Sequence, residues 1–304
     1  MDALTVKVAG VEFRNPFLLA SGIWGESGAS LHRAYVAGAG GVVTKSIGRE
    51  PRTGYPNPTI ERLDDWGLLN AMGLPNPGIK NYAEEVRFAL SKGVKVVGSV
   101  FGGTPEEFAL LSVEMEKLGV GSIELNLSCP HAKGYGSEIG ADPELLSEVV
   151  RAVKKAVKVP VWAKLTPNTS DPALLAAAAE SAGADAISAI NTVRALAIDP
   201  VGMRPVLYHG LGGLSGPAIK PIGLAFIWQA YEKVRIPLVG IGGITTPEDA
   251  FEYLLAGATL LEVGTAVADS GGTVFHTLAD GLREILKERG FGNVAEAVGA
   301  AHRK

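Results

Sequence analysis

The sequence predicts an α/β protein, specifically a (β/α)8 TIM barrel with an N-terminal β-hairpin and long loops on its catalytic face. Two observations carry this expectation. Eight short apolar runs alternate with stretches of helical spacing along 304 residues; continuous apolar strands are those of a parallel sheet buried on both faces, and eight βα units suit a chain of this length. The 39 glycines are about twice the usual ~7% share and are scattered between the runs, as many tight connections require. A doubly wound open sheet is the alternative that the same alternation permits. No shift in composition marks a linker, so residues 1–304 read as one domain.

The chain opens with Thr5–Phe13, a hairpin centred on Gly10 and suited to plug the barrel bottom. The expected barrel strands are Phe17–Ala20, Gly41–Lys45, Val94–Val100, Ser122–Leu127, Pro160–Leu165, Ala186–Ile190, Pro237–Ile241 and Leu260–Val263. Helix starts stand between them. Thr104-Pro105-Glu106-Glu107 and Thr246-Pro247-Glu248-Asp249 each offer a capping threonine, a proline at the first helical position and acids in the first turn. Asp142-Pro143 and Asp171-Pro172 do the same. Ala-Gly-Ala phrases at Ala37–Ala39, Ala182–Ala184 and Ala256–Ala258 read as helix ends closed by glycine. Three segments, 46–77, 128–141 and 191–216, are too long for plain βα connections, and loops of that length are commonly functional.

Composition excludes several classes. Lys+Arg 28 against Asp+Glu 32 gives a net charge of −4, whereas nucleic-acid and anionic-membrane surfaces need clustered positive charge. A single cysteine forms no intrachain disulfide and builds no four-cysteine metal or iron–sulfur site. The N-terminus lacks a basic segment followed by an apolar one, and no apolar run reaches about 18 residues. The expectation is a cytoplasmic protein without a membrane segment or bound metal.

In a barrel the chemistry sits where strands end at their C-terminal side. Those ends carry Ser21, Lys45-Ser46, Ser99, Asn126 with Cys129 beyond it, Lys164, Asn191-Thr192, Gly242-Gly243 and Gly264-Thr265. Lys45 and Lys164 either snorkel to solvent or, with no acid near them in sequence, hold an anionic ligand such as the electron-rich edge of a reduced flavin or a carboxylate. The glycines after the last two strands either permit tight turns or present bare N–H groups to a phosphate. No dinucleotide fingerprint or P-loop is present, so a mononucleotide phosphate fits better than NAD or ATP. Cys129 is either a small buried hydrophobe or a proton acceptor: a thiol with an ordinary pKa of about 8.5 needs only positioning to take a proton. Asn70-Ala71-Met72-Gly73-Leu74 reads equally as turn punctuation and as a run of N–H groups curling round a carboxylate.

Ser21-Gly22, Lys45-Ser46, NAMGLPNPG at 70–78, ELNLSCP at 124–130, KLTP at 164–167, INT at 190–192, GGLSGP at 212–217, GIGG at 240–243 and VGTA at 263–266 occur in order. Together they resemble the dihydroorotate dehydrogenases of class 1, most closely the 1B catalytic subunit, over about residues 4–290. The resemblance implies an FMN-dependent oxidation of (S)-dihydroorotate to orotate in pyrimidine biosynthesis. In it, Cys129 is similar to the base that removes the C5 proton while hydride leaves C6 for flavin N5. Lys45, Asn70, Met72, Gly73, Leu74, Asn126, Asn191 and Thr192 resemble the substrate contacts. Ser21, Lys45, Ser46, Asn126, Lys164, Ile190, Gly216, Gly242, Gly243, Gly264 and Thr265 resemble the FMN contacts, and Ser99 stands where the family often has asparagine against the flavin, making that contact shorter or water-mediated here.

His131 follows Cys129-Pro130 where many members have asparagine, as a rim hydrogen bonder or a loop residue; His209 and His276 show no ligand spacing. Ser-Cys-Pro-His also resembles the flavin barrel of dihydropyrimidine dehydrogenase, but a substrate without a carboxylate has no use for the Met72–Leu74 amides. A tRNA dihydrouridine synthase would carry a basic RNA-binding extension, which is missing, and a flavin-free phosphate-binding barrel would purify colourless. With one cysteine and no dinucleotide motif, the chain has no route of its own to NAD. The resemblance to the 1B type implies a homodimeric core joined by a separate subunit carrying FAD and a [2Fe–2S] cluster. The class 1A alternative reduces fumarate with no partner.

Overall fold

In the computed structural model, which describes residues 2–128 and 139–303, every expected apolar run contains a strand. The strands are β1 (Phe17–Leu19), β2 (Gly41–Val43), β3 (Val96–Val100), β4 (Ser122–Asn126), β5 (Val161–Leu165), β6 (Ala186–Ala189), β7 (Leu238–Ile241) and β8 (Ala258–Val263). They pair in parallel, each with its sequence neighbour, and β8 closes on β1. The closed barrel removes the open-sheet alternative. Every residue of β1, β2, β3, β5, β6 and β7 is buried, the pattern of strands covered on both faces.

The outer helices are α1 (Gly28–Val36), α2 (Ile79–Ser91), α3 (Pro105–Leu118), α4 (Pro143–Ala156), α5 (Pro172–Ser181), α6 (Lys220–Lys233), α7 (Pro247–Ala256), the short α8 (Thr265–Ser270), α9 (Val274–Glu288) and α10 (Val294–Ala297). All four helix starts read from the sequence are capped as expected. Thr104 Oγ1 accepts from the Glu107 N–H and Thr246 Oγ1 from Asp249, while Asp142 accepts from Glu144 and Leu145 and Asp171 from Leu174. Each such cap contributes on the order of 1 kcal/mol. The Ala-Gly-Ala phrases turn helix into strand through Gly38 at φ +108°, Gly183 at +99° and Gly257 at +119°. A side chain is strained in that region. No helix among the described residues is long and apolar enough to cross a membrane.

Val6–Val8 and Val11–Phe13 form the expected antiparallel hairpin. Its Phe13 ring stands 6.2 Å from that of Trp162 near the start of β5, and both are fully buried. The hairpin therefore closes the barrel at the N-terminal ends of its strands. Trp162 and Lys164 are two apart and share the inward face of β5; Trp162 meets the plug and Lys164 looks to the opposite end.

At that opposite end the long connections are more ordered than loops. Ile60–Leu63 and Gly67–Asn70 from the second connection pair with Gly212–Ser215 and Val193–Ala195 from the sixth, making a four-stranded antiparallel sheet. These strands are short and glycine-interrupted and find their partners some 140 residues away, with Asn70 opposite Gly213. Turn composition alone did not reveal them. A hairpin of Ile198–Asp199 with Arg204–Pro205 projects beyond this sheet and exposes Val201 and Met203.

Candidate active site

A cavity of about 680 Å³ opens at the C-terminal ends of the barrel strands, roofed by the four-stranded sheet. Every substrate-contact and cofactor-contact position expected from the sequence lines it, apart from Ser99. Cys129 and His131 lie outside the described residues.

The floor is a row of hydrogen bonds joining four strand ends. Ser46 Oγ, just past β2, lies 3.2 Å from Ser21 Oγ beyond β1. It accepts from Asn126 Nδ2 at the end of β4, at 3.0 Å. Asn126 Oδ1 in turn accepts from Asn191 Nδ2 beyond β6, at 3.3 Å, and Asn191 Oδ1 takes the Thr192 N–H at 2.8 Å. Each amide is thereby oriented with its nitrogen and oxygen distinguished. Ser99 stands behind this row. It is fully buried and its hydroxyl is 2.9 Å from Ser46 Oγ, so it reaches the cavity only through Ser46. Ser99 is not among the cavity-lining residues and braces Ser46 from behind.

The 70–74 loop forms one wall. Asn70 Nδ2 donates to Gly213 O at 3.2 Å, tying the loop to the sheet. Gly73 and Leu74 take successive positive φ values, +71° and +57°. Among the described residues, none accepts from the N–H groups of Met72, Gly73 or Leu74. The three residues line the cavity, and successive backbone N–H groups in such turns make anion cradles. Tyr55 braces the loop: its N–H donates to Met72 O at 3.0 Å, and a Cβ on Gly73 would fall 2.8 Å from its ring. The Tyr55 ring stacks on His209 with centroids 4.1 Å apart, joining the second and sixth connections across the cavity mouth.

No acid stands near the two lysines in sequence, yet the fold brings acids to both. Lys45 Nζ pairs with the exposed Glu26 at 3.3 Å. Lys164 Nζ is enclosed between Glu124 Oε1 at 3.2 Å and Glu262 Oε2 at 2.9 Å, both carboxylates fully buried. Burial alone would depress the Lys164 ammonium, but the charges of Glu124 and Glu262 outweigh it and hold the pKa above the ordinary lysine value. Lys164 is thus a permanent cation at the cavity wall. The acids were hidden because they sit on other strands, 40 and 98 residues away.

The glycine loops supply bare backbone. Gly216, Gly242 and Gly243 have φ of +106°, +121° and +67°. A Cβ on Gly243 would lie 2.7 Å from the Lys220 Cβ and 2.9 Å from Gly216 O, so the loop after β7 and the end of the sixth connection pack backbone to backbone. Gly264 leads into α8, where Thr265 Oγ1 meets Ser215 Oγ at 2.9 Å. A fixed cation, oriented amides and side-chain-free backbone in one cavity are chemistry that a flavin mononucleotide could use.

Among the lining residues that sequence reasoning did not single out are Glu262, Tyr55, Asn168 and Arg194. Only Glu262 carried a signal, an acid inside the apolar run Leu260–Val263 that ends on the catalytic rim.

The closed barrel with a cavity at its strand ends is the frame of a (β/α)8 enzyme, and its family makes it a flavin-dependent oxidoreductase. The sequence pattern of the family described as dihydroorotate dehydrogenase matches residues 3–286, and the chain belongs to that family. It is similar to proteins named dihydroorotate dehydrogenase B (NAD(+)), catalytic subunit, from several organisms. Identity is 52% with that of Pyrococcus furiosus, covering 99% of each chain. It is 54% with that of Pyrococcus abyssi, over 98% of this chain and 99% of the relative. With that of Methanocaldococcus jannaschii it is 49%, over 98% of each.

Proposed function

We propose that this protein oxidises (S)-dihydroorotate to orotate in pyrimidine biosynthesis, with FMN held at the barrel rim and electrons passed on to NAD through a partner subunit. The observation that carries the reading is the pairing, in one cavity, of oriented asparagine amides with the open N–H groups of Met72, Gly73 and Leu74. A pyrimidine ring bearing a carboxylate needs both: amide edges for its ring nitrogens and carbonyls, and an anion cradle for its acid.

FMN, when bound, supplies an N5 that accepts the hydride leaving substrate C6. The remaining work belongs to this chain. Asn70, Asn126, Asn191 and Thr192 hold the ring edge, and Lys45 adds positive charge beside the Met72–Leu74 cradle. Cys129 accepts the C5 proton as hydride leaves the adjacent carbon, so the two bonds break on neighbouring atoms and the new double bond joins them. Lys45, Lys164, Ser21, Ser46, Asn126 and Ile190 hold the isoalloxazine; Gly216, Gly242, Gly243, Gly264 and Thr265 hold the phosphate. The sheet over the cavity and the Tyr55–His209 stack limit water at the reacting carbon.

The partner is a subunit bearing FAD and a [2Fe–2S] cluster on a homodimer of this chain in the cytoplasm. The relatives' description as a catalytic subunit supports a second chain, and the exposed apolar residues Ile198, Val201 and Met203 beside the rim supply surface suited to association. Anaerobic mixing of purified, FMN-loaded protein with dihydroorotate tests the activity: the flavin absorbance bleaches with dihydroorotate and not with dihydrouracil. Protein that stays colourless with added FMN, or that bleaches only with dihydrouracil, overturns the reading. Recovery of a brown, iron-containing second chain with the tagged protein tests the partner.

A further inference from the structure

Three ionisable side chains meet in the barrel interior, Lys164 and Glu262 at the cavity wall, and in their ordinary ionised forms they would not balance. Lys164 stands between Glu124 and Glu262, with side chains 7%, 0% and 0% exposed. Glu124 uses both carboxylate oxygens: Oε1 accepts from Lys164, and Oε2 accepts from Ser188 Oγ at 2.8 Å. Glu262 uses one. Its Oε2 meets Lys164, while Oε1 is buried with no hydrogen-bond partner among the described residues. The ionisable groups facing Glu262 are Glu124 from β4 and Lys164 from β5. On the strands flanking its own, its register neighbours are the apolar Ile241 and Leu18.

Two ionised carboxylates around one ammonium would leave a net negative charge in an interior that solvates it poorly. They would also leave a bare carboxylate oxygen with nothing to accept from. One proton shared between the two carboxyls removes both difficulties, because a protonated Glu262 becomes a donor and the Glu124 carboxylate beside it can accept. Glu124, bonded at both oxygens, is the better anion.

We infer that Glu262 is held as the neutral acid and is a positioning residue for Lys164, fixing the ammonium at the cavity wall while Glu124 remains its single counter-ion. Burial first, then the charge of Glu124, drives the Glu262 carboxyl well above the usual carboxylate range despite the opposing pull of Lys164. Lys164 lines the cavity with two of its three N–H donors engaged. The triad as a whole is uncharged, so an electron-rich ring placed against it meets the positive end of a dipole and no net negative charge. The consequence for the flavin rests on the FMN reading; the protonation of Glu262 does not.

Infrared difference spectroscopy of the whole protein, wild type minus Glu262→Gln at neutral pH, reads the proton directly. The expected result is the carbonyl stretch of a buried carboxylic acid, present in wild type and lost in the variant. In Glu124→Gln the remaining carboxylate becomes the counter-ion of Lys164, and the acid band disappears. With FMN bound, the midpoint potential of wild type matches that of Glu262→Gln at neutral pH. It then steps downward in alkali as Glu262 ionises, a step the glutamine variant lacks. An absent acid band in wild type, or a Glu262→Gln potential raised above wild type at neutral pH, overturns the inference. Failure to bind FMN would remove the flavin reading alone, because the infrared band is measured equally well on the flavin-free protein.

Discussion

Asn126 Nδ2 donates to Ser46 Oγ over 3.0 Å, tying the end of β4 to the chain just past β2. Because Asn126 Oδ1 also accepts from Asn191, the amide cannot rotate without losing both partners. It is a rigid edge with one N–H and one lone pair left for a ligand, and the row behind it depends on that rigidity.

Replacing Asn126 by alanine deletes both bonds and the edge. The expected result is a loss of roughly 10- to 100-fold in kcat/KM for dihydroorotate, the scale of one or two hydrogen bonds of about 1–1.5 kcal/mol each. Steady-state kinetics on FMN-loaded protein measures it, and an unchanged kcat/KM would separate Asn126 from the substrate.

Cys129→Ala is expected to bind FMN normally and to slow its reduction by dihydroorotate by at least ~100-fold, as loss of a general base does. Stopped-flow absorbance reads the rate. A cysteine acting as base must be the thiolate, so reduction is expected to slow as pH falls. A variant reducing at the wild-type rate would remove the cysteine from the mechanism.

Gly73 holds φ at +71° with the Tyr55 ring where a Cβ would point. Gly73→Ala therefore displaces the Met72–Leu74 amides. KM for dihydroorotate should rise about tenfold while the FMN dissociation constant holds, since the flavin contacts lie on other loops. Parallel titrations with substrate and FMN distinguish the two effects.

Lys164→Met leaves Glu124 and Glu262 buried together with no cation between them. Breaking such a group typically costs about 3–5 kcal/mol. Chemical denaturation should show that loss, and flavin titration should show weakened FMN binding. A variant with wild-type stability and affinity would contradict the buried arrangement.

Asp249 serves the fold rather than the chemistry. Its Oδ2 accepts from Thr245 N and Oγ1 and from Thr246 N at 2.8–2.9 Å, and its Oδ1 accepts from Lys220 Nζ at 2.7 Å. Burial opposes ionisation, but the bonds to Lys220, Thr245 and Thr246 outweigh it and lower the Asp249 pKa in the folded state. A lowered folded-state pKa adds stability above the unfolded value of about 3.9, and that stability is lost as pH falls through the folded value. Asp249→Asn should thus be destabilised at neutral pH, with its deficit narrowing in strong acid. Urea denaturation at the two pH values tests the sign; a deficit that grows in acid would refute it.

Much of the architecture was legible because its signals are local. A buried strand must be apolar along its whole length, as Val96–Val100 and Val161–Leu165 are. A helix must find a cap within three residues, as at Thr104 and Asp142. The rim positions followed from the strand ends. Less legible was the roof: Gly67–Asn70 and Gly212–Ser215 have weak strand character and become a sheet only through each other. Ser99 lies one residue before the end of its strand, and its short hydroxymethyl side chain reaches only as far as Ser46.

The sequence alone determined the βα alternation, the capped helix starts, the hairpin and the set of residues delivered to one rim, since each depends on neighbours a few positions apart. Tertiary structure decided which charges meet. Nothing local announces that Lys164 will lie between Glu124 and Glu262, because only barrel closure brings β4, β5 and β8 around one interior. There, with water excluded, the count of opposing charges decides which group keeps its proton.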